Sequence, residues 1–268
     1  MFKRLMIVMM IVLFAVPVFG ASPTTVKDIS LTVHEKNVGG YIAYDQTCNY
    51  SYTVSNEEII PQFQGATIDV YLPAVAATFS MSSSSAADDG DLVVTLIDDN
   101  YDIVEETMMV NGLTDVTSTA LAFRIIGARL TYDSAAANNT NAGDIYFYQG
   151  NTTAAGLPSQ MDKVFLMIPV NEGRGTNAQF FVPRNKIAVL YDVELTASAD
   201  QTFEVTIYSK TFGDYTWIKE ETYLSLSGRK NNMVYKFDEK TDIYMSVTGN
   251  ASAHPDVYAG LRFYTRPE

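Results

Sequence analysis

Residues 180–195 read FFVPRNKIAVLYDVEL, and their pattern decides the fold class. A short apolar lead-in is followed by a polar turn over Pro183 to Lys186. Ile187, Val189, Tyr191, Val193 and Leu195 then fall on alternate positions. Successive side chains of a pleated backbone point to opposite faces, so this spacing predicts a half-buried β-strand with those five residues on one face.

The same grammar extends outward in both directions. Leu92 to Ile97 and Ile103 to Val110 read as the two arms of a hairpin around the turn Asp98 to Asp102, and Asn111-Gly112 supplies the next tight turn. Further strands are predicted over Ala66–Leu72, Phe123–Tyr132, Asp144–Tyr148, Val164–Ile168, Tyr215–Leu226, Val234–Phe237 and Asp242–Val247. Phe203, Val205 and Ile207 share one face of another strand, as do Val257, Ala259, Leu261 and Phe263 of the last. Gly228 to Asn232 reads as a turn, and Ser80 to Asp91, with its serines and Asp88, Asp89 and Asp91, as a solvated loop. Strands every 10 to 15 residues, with no helical period among them, predict an all-β chain of two antiparallel β-sandwich units of the jelly-roll or immunoglobulin-like type. The expected division is a signal-like segment over 1–20, a lead-in arm over 21–65 that is irregular or strand-exchanging, one sandwich over 66–150, a linker over 151–160 where Gly and Pro gather, and a second sandwich over 161–268.

Composition narrows the function classes. The 268 residues are 47% hydrophobic and 12% aromatic, enough for sizeable cores, and carry a net charge of −13 with no Lys/Arg run. Binding to nucleic acid rests on cations that neutralise phosphates, so a nucleic-acid partner is not expected. A single cysteine, Cys48, excludes an internal disulfide and a cysteine zinc cluster. At the N-terminus, Lys3-Arg4 precedes the apolar run Leu5 to Phe19, and Val18-Phe19-Gly20 offers a cleavage site before Ala21. This is the layout of a secretory signal peptide; a retained hydrophobic anchor is the alternative and the one expected contact with a membrane.

Candidate sites for chemistry are few. Asp98, Asn100 and Asp102 place oxygens at alternate positions, as a calcium loop begins, but Ile103 and Met109 stand where that loop needs Gly and Glu. With both requirements unmet, the preferred reading is a hairpin turn whose Asp and Asn side chains bond their own backbone. Glu105-Glu106 and Glu220-Glu221 are adjacent on predicted strands and so face opposite ways, which cannot place two carboxyls across one glycosidic bond. His34 and His254 are the only histidines, and no Gly-x-Ser-x-Gly elbow is present. Trp217 and the tyrosines are candidates for stacking on sugars or for packing within strands. These readings predict no enzyme activity, no catalytic residue and no cofactor.

From Phe79 onward, over about 190 residues, the chain resembles virion structural proteins of marine and cyanobacterial tailed phages. The matching stretches are FSMSSSSAADDG, DLVVTLIDDNYDIVEETMMVNG, FRIIGARLTY and the Asn-Ala-Gly-Asp-Ile at 141–145. They continue with FFVPRNK at 180–186, Phe203 to Lys210, and EKTDI at 239–243. The resemblance implies a non-enzymatic particle protein of the capsid-decoration, fibre or tail-accessory type, whose partners are copies of itself and other particle subunits. Tailed-phage subunits assemble in the host cytoplasm, and the export-like N-terminus departs from that. The expected location is therefore the virion or the extracellular space. A secreted carbohydrate-binding adhesin or filament subunit, using Trp217 and exposed tyrosines on cell-surface glycans, is the competing reading.

Overall fold

A computed structural model describes residues 42–51, 57–60, 71–133, 140–150, 155–176, 179–197, 202–214, 218–226, 228–249 and 256–267. Among these the chain is all-β, and every strand pairing is antiparallel.

The strands form four sheets. The first has the order β10-β7-β4-β5, from β4 (Asp89–Asp98), β5 (Ile103–Asn111), β7 (Ala122–Asp133) and β10 (Arg174–Thr176). The second has the order β6-β3-β8-β9, from β3 (Ser80–Ser83), β6 (Val116–Thr117), β8 (Ile145–Tyr148) and β9 (Val164–Ile168). These two close on one core in which Leu92, Val94 and Leu96 of β4 meet Met81, Ile145 and Phe147 of the facing strands. Burying that many large apolar side chains, at about 1.5–3 kcal/mol each, is what holds two sheets face to face.

The third sheet has the order β1-β17-β12-β15, from β1 (Ile42–Ser51), β12 (Lys186–Ala197), β15 (Gly228–Phe237) and β17 (Asp256–Pro267). The fourth has the order β11-β16-β13-β14, from β11 (Gln179–Phe181), β13 (Thr202–Thr211), β14 (Ile218–Leu226) and β16 (Thr241–Gly249). Its fifth strand, β2 (Glu57–Ile60), pairs with β16 beyond the end of β11. Phe180 of β11 stacks on Phe263 of β17 with ring centroids 4.6 Å apart, so these sheets also share an interior.

Several expectations hold and several change. The hairpin of β4 and β5 lies where its alternation predicts, with Gly112 at φ 51 in the turn that follows. In β17, Leu261 and Phe263 are both fully buried and share the core face. In β12, however, the register slips between Leu190 and Asp192 against both neighbours. This bulge reverses the phase: Ala188 and Leu190 point into the core, Val193 follows them, and Tyr191 leaves that face to stack on Tyr264 with centroids 5.9 Å apart. The five-residue face expected from Ile187 to Leu195 is thus broken at Tyr191. Gly228 to Asn232, expected as a turn, begins β15, with Gly228 opposite Leu195.

The serine-rich stretch changes most. Ser80 to Ser83 is a strand, and Met81, Ser82, Ser83 and Asp88 are buried. Hydroxyls that find partners can occupy a core: Ser82 Oγ donates to the Gly156 carbonyl at 2.7 Å and lies 3.2 Å from the Tyr148 hydroxyl. The strands also group differently from the expected division at 151–160, because β8 and β9 on either side of that stretch are neighbours in one sheet and β10 pairs with β7. The expected lead-in supplies β1 and β2 to the third and fourth sheets, so the first sheet pair is inserted in the chain between β2 and β11.

Candidate functional site

The two sheet pairs meet at a junction built from four turns and one buried ion pair. Arg124 of β7 sits in the run Phe123-Arg-Ile-Ile126, where a charge among apolar neighbours must find a partner. Its partner is Asp242 of β16. Arg124 Nε donates to Asp242 Oδ1 at 2.7 Å and Nη2 to Oδ2 at 2.7 Å, while Nη1 donates to the carbonyls of Phe123 at 2.7 Å and Pro73 at 3.2 Å. The guanidinium carbon also lies 5.6 Å from the Phe181 ring centroid.

Beside the pair, Tyr101 at the tip of the β4–β5 hairpin stacks on Phe123 at 4.7 Å and Phe181 at 6.1 Å, and the Phe212 ring meets it edge-on at 5.2 Å. Lys240 Nζ lies over the Tyr101 ring at 4.7 Å. Alternation explains why β11 can serve both sides: Phe180 enters the core of the second sheet pair, and Phe181, one residue on, faces the first.

Backbone bonds fix the turns around these rings. Arg184 N donates to the Tyr101 carbonyl at 3.0 Å, Lys240 N to that of Val182 at 2.7 Å, and Phe212 N to that of Lys240 at 2.7 Å. Tyr101, Asn185 and Lys240 adopt positive φ of 65, 55 and 57, a conformation that costs of order 1 kcal/mol per non-glycine residue and persists where surrounding contacts impose it. Tyr71 packs on Phe165 at 4.8 Å and donates its hydroxyl to Gln149 Oε1 at 2.5 Å. Burial, and then the nearby Asp162 carboxylate, push its phenol above the ordinary value, with Arg124 opposing.

The sequence candidates fall into this framework. Asp98 Oδ1 accepts from the backbone N–H groups of Asn100 at 2.9 Å and Asp102 at 2.8 Å, which is the self-bonded turn. Asp102 instead holds Arg184 across the junction, accepting from Nε at 3.0 Å and Nη2 at 2.6 Å. The Asn100 side chain donates to Asp99 Oδ1 at 3.2 Å. Among the described residues no three of His, Cys, Asp and Glu gather to hold a metal ion. Glu105 is exposed, whereas Glu106 accepts from the backbone N–H groups of Thr119 at 2.7 Å and Ala120 at 3.2 Å. Residues 1–20, His34, Trp217 and His254 lie outside the described residues, as do the side chains of Cys48, Glu220 and Glu221.

Two buried polar residues have roles that the sequence did not indicate. Asp88 accepts from the Ser83 hydroxyl, from Ala142 N at 2.6 Å and from Gly143 N at 3.0 Å. Asn141 donates through Nδ2 to the carbonyls of Gly143 at 2.6 Å, Pro169 at 2.8 Å and Ile168 at 3.3 Å, and accepts from Gly173 N at 3.0 Å. Both tie loops that lie far apart in sequence, and their surroundings give no periodic signal that would mark them. Arg124 did carry a local signal, a charge set between Phe123 and the apolar pair Ile125-Ile126, whereas Asp242, second in β16 after Glu239-Lys240-Thr241, carried none.

A crevice at the junction is lined by Leu72, Arg124, Gln179, Phe181 and Asp242 among others, and its free volume of about 10 Å³ suits one water-sized group. It offers no room for a substrate.

No model of a known protein family matches the chain, and no curated protein does. Among solved structures, the chain is similar to one of the infectious bursal disease virus Gt strain, with a TM-score of 0.22, 13% identity, and coverage of 85% of this chain and 72% of that one. A structure of the Gx strain of that virus has a TM-score of 0.23 at 10% identity, covering 89% and 78%. The crystal structure of the VP2 subviral particle of the same virus has a TM-score of 0.22 at 10% identity, covering 85% and 72%. At TM-scores this low the likeness carries no argument about family or function.

Proposed function

We propose that this chain is a non-enzymatic structural subunit of a virion or other extracellular assembly, acting through contacts with copies of itself and with neighbouring subunits. The observation that carries this reading is the use made of the side chains capable of chemistry. Asp88, Asp98, Glu106 and Asp242 are each engaged by backbone amides, a hydroxyl or a guanidinium that position one part of the fold against another. Carboxylates held this way stiffen a scaffold and are poorly placed to transfer protons. The resemblance of the 79–268 stretch to tailed-phage virion proteins supports the same reading and favours a decoration, fibre or tail-accessory role.

Sedimentation and electron microscopy of the purified full chain over a range of concentrations test it. Self-association into defined oligomers, or incorporation into particles, is expected. A chain that stays monomeric at every concentration and joins no particle overturns the proposal. Glycan-array binding that is lost in Trp217→Ala with the fold intact would replace it with the adhesin reading.

A further inference from the structure

The β1 and β2 strands precede the first sheet pair in the chain but pair within the second. β1 lies along the outer edge of β17 in an unbroken register from Ile42 opposite Thr265 to Ser51 opposite Asp256. β2 lies along β16, from Glu57 opposite Thr248 to Ile60 opposite Met245. No hairpin ties either strand to its partner; Ser51 and the Asp256 it faces differ by 205 positions. On the other side, residues 61–70 join β2 to Tyr71 and the first sheet pair, a length of chain that reaches up to about 35 Å.

A strand joined to its sheet by a short turn pairs within its own chain, because the turn holds it at very high effective concentration. This arm is held more loosely: its link, residues 61–70, runs to the first sheet pair and not to the edges that the arm covers. Without it, β17 and β16 present unpaired edges, and an uncovered edge of that length is a template for another strand. The arm of a neighbouring copy fills it with the same register and the same hydrogen bonds, so exchange between copies sacrifices no contact and adds a link between subunits.

We propose that the β1–β2 arm is the assembly element of this chain, donated in the oligomer to the β17 and β16 edges of a neighbouring copy. The inference rests on the proposed role as a self-associating subunit. Its test uses the single native cysteine. Cys48 stands directly opposite Ala259 in the β1–β17 register. Directly opposed Cβ atoms lie about 4.5–5.5 Å apart, close to what a disulfide spans, so Ala259→Cys provides a reporter.

The assembled full-length Ala259→Cys variant is oxidised with diamide, denatured, and run on a non-reducing gel beside the wild type and the Cys48→Ser, Ala259→Cys double variant. The expected result is that most of the chain migrates as covalent dimers or larger species, collapsing to monomer on reduction and absent from both controls. A monomer band with its two thiols consumed places the arm in its own chain and overturns the proposal. Two thiols that stay free overturn it as well, because the register on which it rests is then absent. Sedimentation of the same sample separates the two readings: an oligomer with internal disulfides defeats arm exchange alone, and a monomer defeats the subunit role itself.

Discussion

Arg124 and Asp242 lie 118 positions apart and form a two-bond ion pair whose side chains are 6% and 9% exposed. Each is the partner that makes burial of the other tolerable, because an uncompensated charge in an apolar setting is strongly unfavourable. Arg184 and Asp102 cross the same junction, also through two bonds, at 3.0 and 2.6 Å, but are both 43% exposed. Water and salt screen the second pair and not the first.

These two pairs should therefore differ in what their loss does. Arg124→Ala or Asp242→Ala is expected to lower stability by about 3–5 kcal/mol, with the double variant losing much less than the sum. Arg124→Lys should not restore it, since an ammonium cannot donate the parallel pair of bonds. Arg184→Ala is expected to cost no more than about 1 kcal/mol and to matter less as salt rises. Urea unfolding of the five variants at low and high ionic strength checks this.

Asp88 is buried and accepts three hydrogen bonds from the β3 end and the 142–143 loop. Asp88→Ala removes the acceptor of three donors, two of them buried, the Ser83 hydroxyl and the Gly143 N–H, and an unsatisfied buried donor costs about 1–3 kcal/mol. A total loss of several kcal/mol is expected, and Asp88→Asn, which keeps an acceptor oxygen, should lose less. Hydrogen exchange at the Ala142 and Gly143 amides should accelerate in both variants before exchange in β4 does.

Gly156 and Gly213 both have positive φ, 71 and 95, but only Gly156 is crowded: a methyl group there would meet the Ser83 carbonyl, whereas nothing lies within 4 Å at Gly213. Gly213→Ala is expected to cost about 1 kcal/mol from backbone strain alone. Gly156→Ala should cost distinctly more, since it must also push β3 aside and break the Ser82 bond to the Gly156 carbonyl. Thermal unfolding of the two variants compares them directly.

Tyr146 is buried at 7% exposure, and its hydroxyl donates to Asp144 Oδ2 at 3.4 Å. Burial first, and then the Asp144 charge, push its phenol from 10.0 up to about 12. The folded chain therefore keeps a proton that the unfolded chain has already released. This stabilisation is complete below pH 10.0 and is lost as pH rises toward about 12, by about 2 kcal/mol. Tyr146→Phe should remove that part of the alkaline loss, seen as a flatter dependence of the urea midpoint on pH.

The all-β class, the β4–β5 hairpin with its self-bonded Asp98 turn, and the Leu261/Phe263 face were legible from residues close together in sequence. Alternation and turn chemistry are short-range properties, so a single strand or turn declares itself locally. What those strands pair with is a contact over long distances along the chain, and no local pattern states it. Only the tertiary structure showed that β9 and β10 join the first sheet pair, that β1 and β2 join the second, and that the stretch 151–160 links neighbouring strands. The bulge after Leu190 reversed a face that the alternation predicts as continuous, because one extra residue inverts every side chain beyond it. Ser82, Ser83 and Asp88 carry the composition of a solvated loop, yet they are buried because Tyr148, Gly156 and the 142–143 amides satisfy them. A polar side chain is placed inside or outside by the partners it finds, and those partners lie elsewhere in the chain.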